Sequence, residues 1–448
     1  MRIDNSRPGA LDAVGHVPTW RSPRLSLFAL LAAFALASCG GDEAPTEDPG
    51  PLLLEQQTVA TLLAADIQAT IEETDPSGLL EVLIGTPVCD VELLRVRHTT
   101  TGPAGEPTTA SAALLLPRQP EGGSDCPSST RALVAWSRAT EFRREATLAD
   151  PQASETLALA SVFAAQGYAA VATDDLGLAA SDLPYHPYLS ARGASTVLID
   201  AIRIARGALE ARQRDTERLF VAGYSQGGHG AMATARELER NWSQQLPLLG
   251  TAAMTGPFAL EDLLLSLSRS SERGATAALT YVLNGWQNVR GDLWSVPSDA
   301  FREPWADGIE TLLPTTGLSE GALYAQGLLP LAVEDLLTES FLLQFETDPE
   351  APARVAARQD SFYGTRVADP WIPQRPLFLC GGSADPVVPF WNAQLAFDTV
   401  RMAGAVVELL DVDILLGRLG VERDEYHVAA AIPCIIGARA FLERHDAE

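Results

Sequence analysis

Leu219-Phe220-Val221-Ala222-Gly223-Tyr224-Ser225-Gln226-Gly227-Gly228-His229-Gly230 is the stretch that decides the fold. Leu219 to Ala222 is a short apolar run with the length and bounding of a buried strand. It enters Gly-x-Ser-x-Gly directly and then the small-residue helical stretch Ala231 to Ala235. Strand, sharp turn and helix, in that order, are the setting of a nucleophile elbow. A Cβ at Gly223 or Gly227 would collide with neighbouring backbone, so the turn needs glycine there. Ser225 then stands exposed at the sheet edge. Behind it the helix start offers unpaired N–H groups and a partial positive charge, which suit a developing oxyanion.

Working outward, buried strands are expected at Arg131–Trp136, Gly167–Asp174, Leu249–Thr255, Pro376–Gly381 and Val406–Val412. Helices are expected at Leu157–Ala165, Ala194–Arg212 and Val428–Arg444. Strands alternating with helices at this spacing predict βαβ units and a mostly parallel sheet flanked by helices, an α/β fold. Upstream, Val91–Thr99 and Thr108–Pro117 flank Gly102-Pro103-Ala104-Gly105 and predict an antiparallel hairpin, preceded by an amphipathic helix over Leu53–Glu72. The segment 258–372 is mostly helical, with helices expected at Leu260–Ser268, Ala275–Val289, Glu320–Ala325 and Leu328–Phe345. It is expected to be a cap inserted over the carboxyl ends of the strands. Its leucine-rich faces can line an acyl pocket or form the cap's own core, and the second explanation is favoured. The domains expected are a leader over 1–38, an acidic tether over 39–52, core over 53–257, cap over 258–372 and core over 373–448.

A serine hydroxyl needs a base to take its proton, and the base needs an orienting acid. Six histidines are available. His16 falls in the leader, His445 at the end, His98 in the hairpin and His186 in a Pro-rich loop. His229, four residues past Ser225, points down the helix away from the hydroxyl. His427 follows the last strand and opens the final helix, within reach of the sheet edge. Asp385 lies in Gly381-Gly382-Ser383-Ala384-Asp385-Pro386, a loop leaving a buried strand. Ser225, Asp385 and His427 follow one another in the chain order this type of triad uses; Asp411, Asp413 and Asp424 are fallback acids.

At this point the chain resembles an α/β-hydrolase and, within that superfamily, the secretory lipase branch and its bacterial relatives. The residues that carry the likeness are Gly223 to His229, Thr173-Asp174-Asp175-Leu176-Gly177-Leu178 with His186-Pro187-Tyr188, and Gly382 to Pro389. The resemblance covers roughly Leu53 onward. It implies ester hydrolysis through an acyl-enzyme, without cofactor or metal, with the Gln226 N–H as one oxyanion donor. Relatives often carry His-Gly after the strand corresponding to Leu133–Trp136; here Ser137-Arg138-Ala139-Thr140 stands instead, leaving Ala139 to offer the second N–H. Peptide or amide cleavage by the same triad, and a non-catalytic binding module on the same fold, are the alternatives.

Bulk features narrow the setting. The chain has 448 residues and a formal charge of −26, which argues against nucleic acid or anionic headgroups as partners. Every basic residue apart from histidine is arginine, which excludes chemistry needing a catalytic lysine. Arg21 and Arg24 precede the apolar run Leu25–Ala37, the pattern of a secretory signal and too short to span a membrane. Leu36-Ala37-Ser38-Cys39 resembles a bacterial lipobox, which implies lipidation at Cys39. Gly40 then implies outer-membrane sorting where two membranes are present, and residues 40–51 read as a flexible tether. In an exported chain Cys89, Cys126, Cys380 and Cys434 permit disulfides. The hairpin favours Cys89–Cys126, leaving Cys380–Cys434.

Overall fold

The computed structural model describes residues 50–445 apart from 124, 215 and 273; the leader and Cys39 lie outside the described residues. Nine strands form one sheet: β1 (Leu53–Leu62), β2 (Asp90–Thr101), β3 (Pro107–Arg118), β4 (Leu133–Ser137), β5 (Ala169–Thr173), β6 (Leu219–Tyr224), β7 (Leu248–Met254), β8 (Leu377–Gly381) and β9 (Val407–Asp411). Their order is β1-β2-β3-β5-β4-β6-β7-β8-β9. The β1/β2, β2/β3 and β3/β5 pairs are antiparallel and all others parallel. This is the mostly parallel sheet that the strand spacing predicts, in the arrangement that the α/β-hydrolase resemblance implies.

Side chains alternate across the strands because the β period is two. Val134, Trp136, Phe220 and Ala222 join one core; Leu133, Ala135, Leu219 and Val221 join the other. Both faces are buried under helices, so the parallel strands carry unbroken apolar runs. From β4 the chain crosses to β5 on one side, then returns to β6 on the other. That reversal opens a crevice beyond the carboxyl ends of β4 and β6, where ligands of such sheets bind.

The helix expected over Leu53–Glu72 is corrected. Leu53–Leu62 is an edge strand pairing with β2 from His98 to Val91, and the helix begins only at Ala64. Long-range pairing overrides a local pattern that suits a helix. Between β7 and β8 the chain is helical. The helices Leu260–Leu267, Ala275–Arg290 and Glu320–Ala325 fall where expected. The single helix expected over Leu328–Phe345 is two, Val333–Leu336 and Glu339–Thr347. Thr338 separates them, its hydroxyl capping the second by accepting from Phe341 N–H at 3.2 Å. Leu264, Leu336, Leu337, Phe341 and Leu342 pack into a cluster made mainly of the segment's own side chains. Both disulfides join the expected cysteines, Cys89–Cys126 and Cys380–Cys434.

Candidate active site

The elbow is built from close backbone approaches. A Cβ on Gly223 would strike the Gly227 carbonyl, and one on Gly227 would strike the Ser137 carbonyl of β4. Ser225 takes φ 57° and ψ −120°, a conformation rarely adopted by a residue with a Cβ. Its N–H donates to Met254 O at 2.9 Å, tying the corner to β7. The helix Gln226–Glu237 follows at once. Ser225 is therefore held at the crevice by backbone on both sides.

Three segments far apart in sequence converge on it. His427 Nε2 lies 2.9 Å from Ser225 Oγ, and His427 Nδ1 lies 2.7 Å from Asp385 Oδ2. A carboxylate accepts only, so Nδ1 carries the hydrogen and Nε2 is left as the acceptor for the serine proton. The second Asp385 oxygen accepts from Val387 N–H at 2.8 Å and Val388 N–H at 3.0 Å. Both oxygens are thus engaged, and the carboxylate cannot rotate away. Tyr224 holds the base from its other side by donating its hydroxyl to His427 O. The fallback Asp413 accepts instead from Ser383 and the Tyr426 hydroxyl, and Asp411 from Asp413 N–H. The Cys380–Cys434 bridge links β8, which leads to Asp385, with the helix Ala431–His445, which follows His427.

The remaining described histidines bind elsewhere; His445 packs on Phe441 at the end of the last helix. His98 Nδ1 meets Thr99 O, His229 Nε2 meets Asp360 O at 2.7 Å, and His186 Nδ1 meets Leu176 O at 2.7 Å. Burial holds His186 and His229 down to about 4, so both rings are neutral at pH 7. His229 points away from the serine, as its helical position predicts.

Ala139 requires a correction. Its N–H donates to Glu155 Oε1 at 3.0 Å, and the Trp136 indole donates to the same oxygen. That N–H is committed to the Glu155 carboxylate and is not available to an oxyanion. Thr140 is next along, its hydroxyl 3.0 Å from the Tyr188 hydroxyl; its own N–H makes no hydrogen bond among the described residues. Tyr188 stacks on Tyr281 with ring centres 4.7 Å apart, and Tyr281 donates to Glu141 O at 3.0 Å. Thr315 exchanges backbone bonds with Phe142 and Arg144. The loop after β4 is therefore secured by the inserted helical segment.

Below the elbow lies a feature that sequence reasoning did not assign. The Gln226 side chain donates to Asp175 Oδ2 at 3.1 Å and meets His186 Nε2 at 2.9 Å. Asp175 and Asp174 are buried carboxyls, with half-buried Glu155 and the buried cation Arg138 beside them. Burial, reinforced by the neighbouring carboxylates, pushes Asp175 up to about 7. The paired Asp174-Asp175 and the isolated His186 were the available signal.

Comparison with known proteins matches these features. The secretory lipase family matches over residues 143–414, a span containing Ser225 and Asp385. The esterase LipA of Xanthomonas oryzae, described as rice cell wall degrading, is 28% identical with a TM-score of 0.76, covering 88% of this chain and 98% of that one. A putative hydrolase of Legionella pneumophila is 20% identical with a TM-score of 0.75 over the same shares. Candida antarctica lipase A is 16% identical with a TM-score of 0.56, covering 80% of this chain and 75% of its own. These last two speak to the fold alone. No curated protein sequence matches the chain. With most of its length matched, the chain belongs to the secretory lipase family of α/β-hydrolases, and lipase- or esterase-like hydrolysis is the chemistry this membership supports.

Proposed function

We propose that the protein is an exported serine hydrolase that cleaves carboxylic esters through an acyl-enzyme. The observation that carries this reading is the His427 ring bridging Ser225 Oγ at 2.9 Å and Asp385 Oδ2 at 2.7 Å. Ser225 Oγ attacks the acyl carbonyl while His427 Nε2 takes its proton. His427 then gives that proton to the leaving alcohol, and the tetrahedral adduct collapses to the Ser225 ester. Water, deprotonated by the same nitrogen, attacks this ester and releases the acid. Asp385 holds the ring in the tautomer that leaves Nε2 bare and stabilises the imidazolium.

The Gln226 N–H, at the start of the elbow helix, is one oxyanion donor. Thr140 N–H is the second, since Ala139 is spent on Glu155. The segment 258–372 acts as the cap over the crevice, and its contacts with the 138–144 loop support that role. Cys39 carries the lipid anchor that fixes the enzyme at the cell envelope.

A fluorophosphonate probe should label the wild-type protein and leave Ser225→Ala unlabelled. Wild-type protein that resists the probe, or equal labelling of Ser225→Ala, refutes the enzyme reading. A p-nitrophenyl acyl series, run beside aminoacyl anilides, identifies the bond: faster anilide cleavage would replace esterase by amidase. Partition of a Cys39→Ser variant into the aqueous phase is the outcome expected for the anchor.

A further inference from the structure

Gln226 does more than follow the serine. Its side chain reaches under the elbow, and the direction of its hydrogen bonds follows from its neighbours. Leu176 O, 2.7 Å from His186 Nδ1, can only accept, so Nδ1 carries the hydrogen and His186 Nε2 is a bare acceptor. Gln226 Nε2 at 2.9 Å must therefore donate to it, and its other hydrogen goes to Asp175 Oδ2 at 3.1 Å. The reverse amide orientation would set an oxygen against two acceptors. Both amide hydrogens are spent on fixed partners.

The two corners joined by this amide are conformationally unusual. Asp175 has φ 67° and Ser225 φ 57°. Neither is glycine, so each must be held by its surroundings. Asp175 Oδ1, Gln226 Oε1 and His229 Nδ1 have no hydrogen-bond partner among the described residues. His229 Nε2 donates to Asp360 O, so its Nδ1 is an acceptor as well. All three residues line a cavity of about 10 Å³ together with Ser137, His186 and Leu189. That volume has room for one water, a hydrogen-bond partner for atoms that find none in the protein.

We propose that the Gln226 side chain is a positioning device: clamped by Asp175 and His186 over a single buried water, it fixes the peptide that presents the oxyanion-binding N–H. This rests on Ser225 being the nucleophile. The backbone N–H touches the reacting oxygen; the side chain acts through it. A loosened clamp shifts the N–H relative to the tetrahedral oxygen while leaving ground-state binding alone, so kcat falls and KM holds.

The test uses Gln226→Met, which keeps length and loses both N–H groups, with Asp175→Ala and Asp175→Asn. Fluorophosphonate titration counts intact sites in each preparation, and p-nitrophenyl butyrate turnover is expressed per titrated site. Gln226→Met and Asp175→Ala should lose about tenfold to hundredfold in kcat with KM nearly unchanged. Asp175→Asn retains the acceptor and should stay close to wild type. The Gln226→Met/Asp175→Ala double variant should be no slower than the worse single variant, because both break one clamp. A loss below about fivefold per titrated site in either disrupting variant overturns the proposal, as does Asp175→Asn falling with Asp175→Ala. Fewer titrated sites with unchanged turnover per site marks a purely structural role and overturns it too. If Gln226→Met gives no folded protein, Asp175→Ala carries the same threshold. Wild-type protein that resists the probe is a different failure, that of the nucleophile itself.

Discussion

The elbow has two sides, and histidine behaves oppositely on each. Above it, His427 has a carboxylate at Nδ1 and the serine hydroxyl at Nε2, with its side chain still partly open to solvent. Below it, His186 and His229 are fully enclosed, and each gives its ring hydrogen to a backbone carbonyl. A carboxylate stabilises a protonated ring, whereas a lone backbone carbonyl offers far less. In the mechanism proposed above, the same residue type carries a proton on one side and is a neutral strut on the other. The partner atom decides which.

The sharpest way to break this contrast is to remove one ring at a time. His427→Ala should lose at least about 10⁴-fold in ester turnover, measured against p-nitrophenyl butyrate with its folded fraction checked by circular dichroism. Asp385→Asn should lose about 10³- to 10⁴-fold by reversing the tautomer, while Asp413→Asn stays within about tenfold. If His229→Gln falls as far as His427→Ala per titrated site, the assignment of sides is wrong.

Stability measurements sharpen the comparison further. The Cys380→Ala/Cys434→Ala double variant should lose about 2–4 kcal/mol, read from the urea midpoint, because the bridge closes a long loop. His229→Gln, which weakens a buried donor to Asp360 O, should cost about 1–3 kcal/mol and leave turnover per titrated site unchanged.

The last test is a pH dependence. Asp175 is pushed up to about 7 by burial, with Asp174 and Glu155 adding to the rise and Arg138 opposing it. Between the exposed value and about 7 the folded state holds the extra proton, so this group's contribution to stability falls as pH rises. His186 and His229, held down to about 4, act in the opposite sense, adding stability as pH rises toward the ordinary imidazole value. Asp175→Asn removes only the falling component. Its stability relative to wild type should therefore climb from about pH 4 to about pH 7 and then level off, as thermal unfolding across that range would reveal.

Much of this was legible in the chain because local pattern and global role agree. The apolar runs at Leu133–Trp136 and Leu219–Ala222 have the length and bounding of buried strands, and Ser225, Asp385 and His427 follow in the chain order that the proposed triad uses. The hairpin favours the Cys89–Cys126 bridge, and Cys380–Cys434 is the pair that remains. What was not legible depends on partners distant in sequence. Leu53–Leu62 becomes a strand because β2 offers it an edge. Ala139 loses its N–H to Glu155, sixteen residues along, and nothing in Ser137-Arg138-Ala139-Thr140 announces that. The clamp under Gln226 needs β5, the Pro-rich loop and the elbow helix brought together first.

The bridge between Cys380 and Cys434 has a consequence for the order of events during synthesis. Ser225 belongs to a portion of the sheet whose strands β1 to β7 are complete by Met254, whereas acid and base both arrive after β8. A chain emerging from the ribosome can thus hold a finished elbow and still be inert. The Cys380–Cys434 bridge then ties the helix that follows His427 to the strand that leads to Asp385.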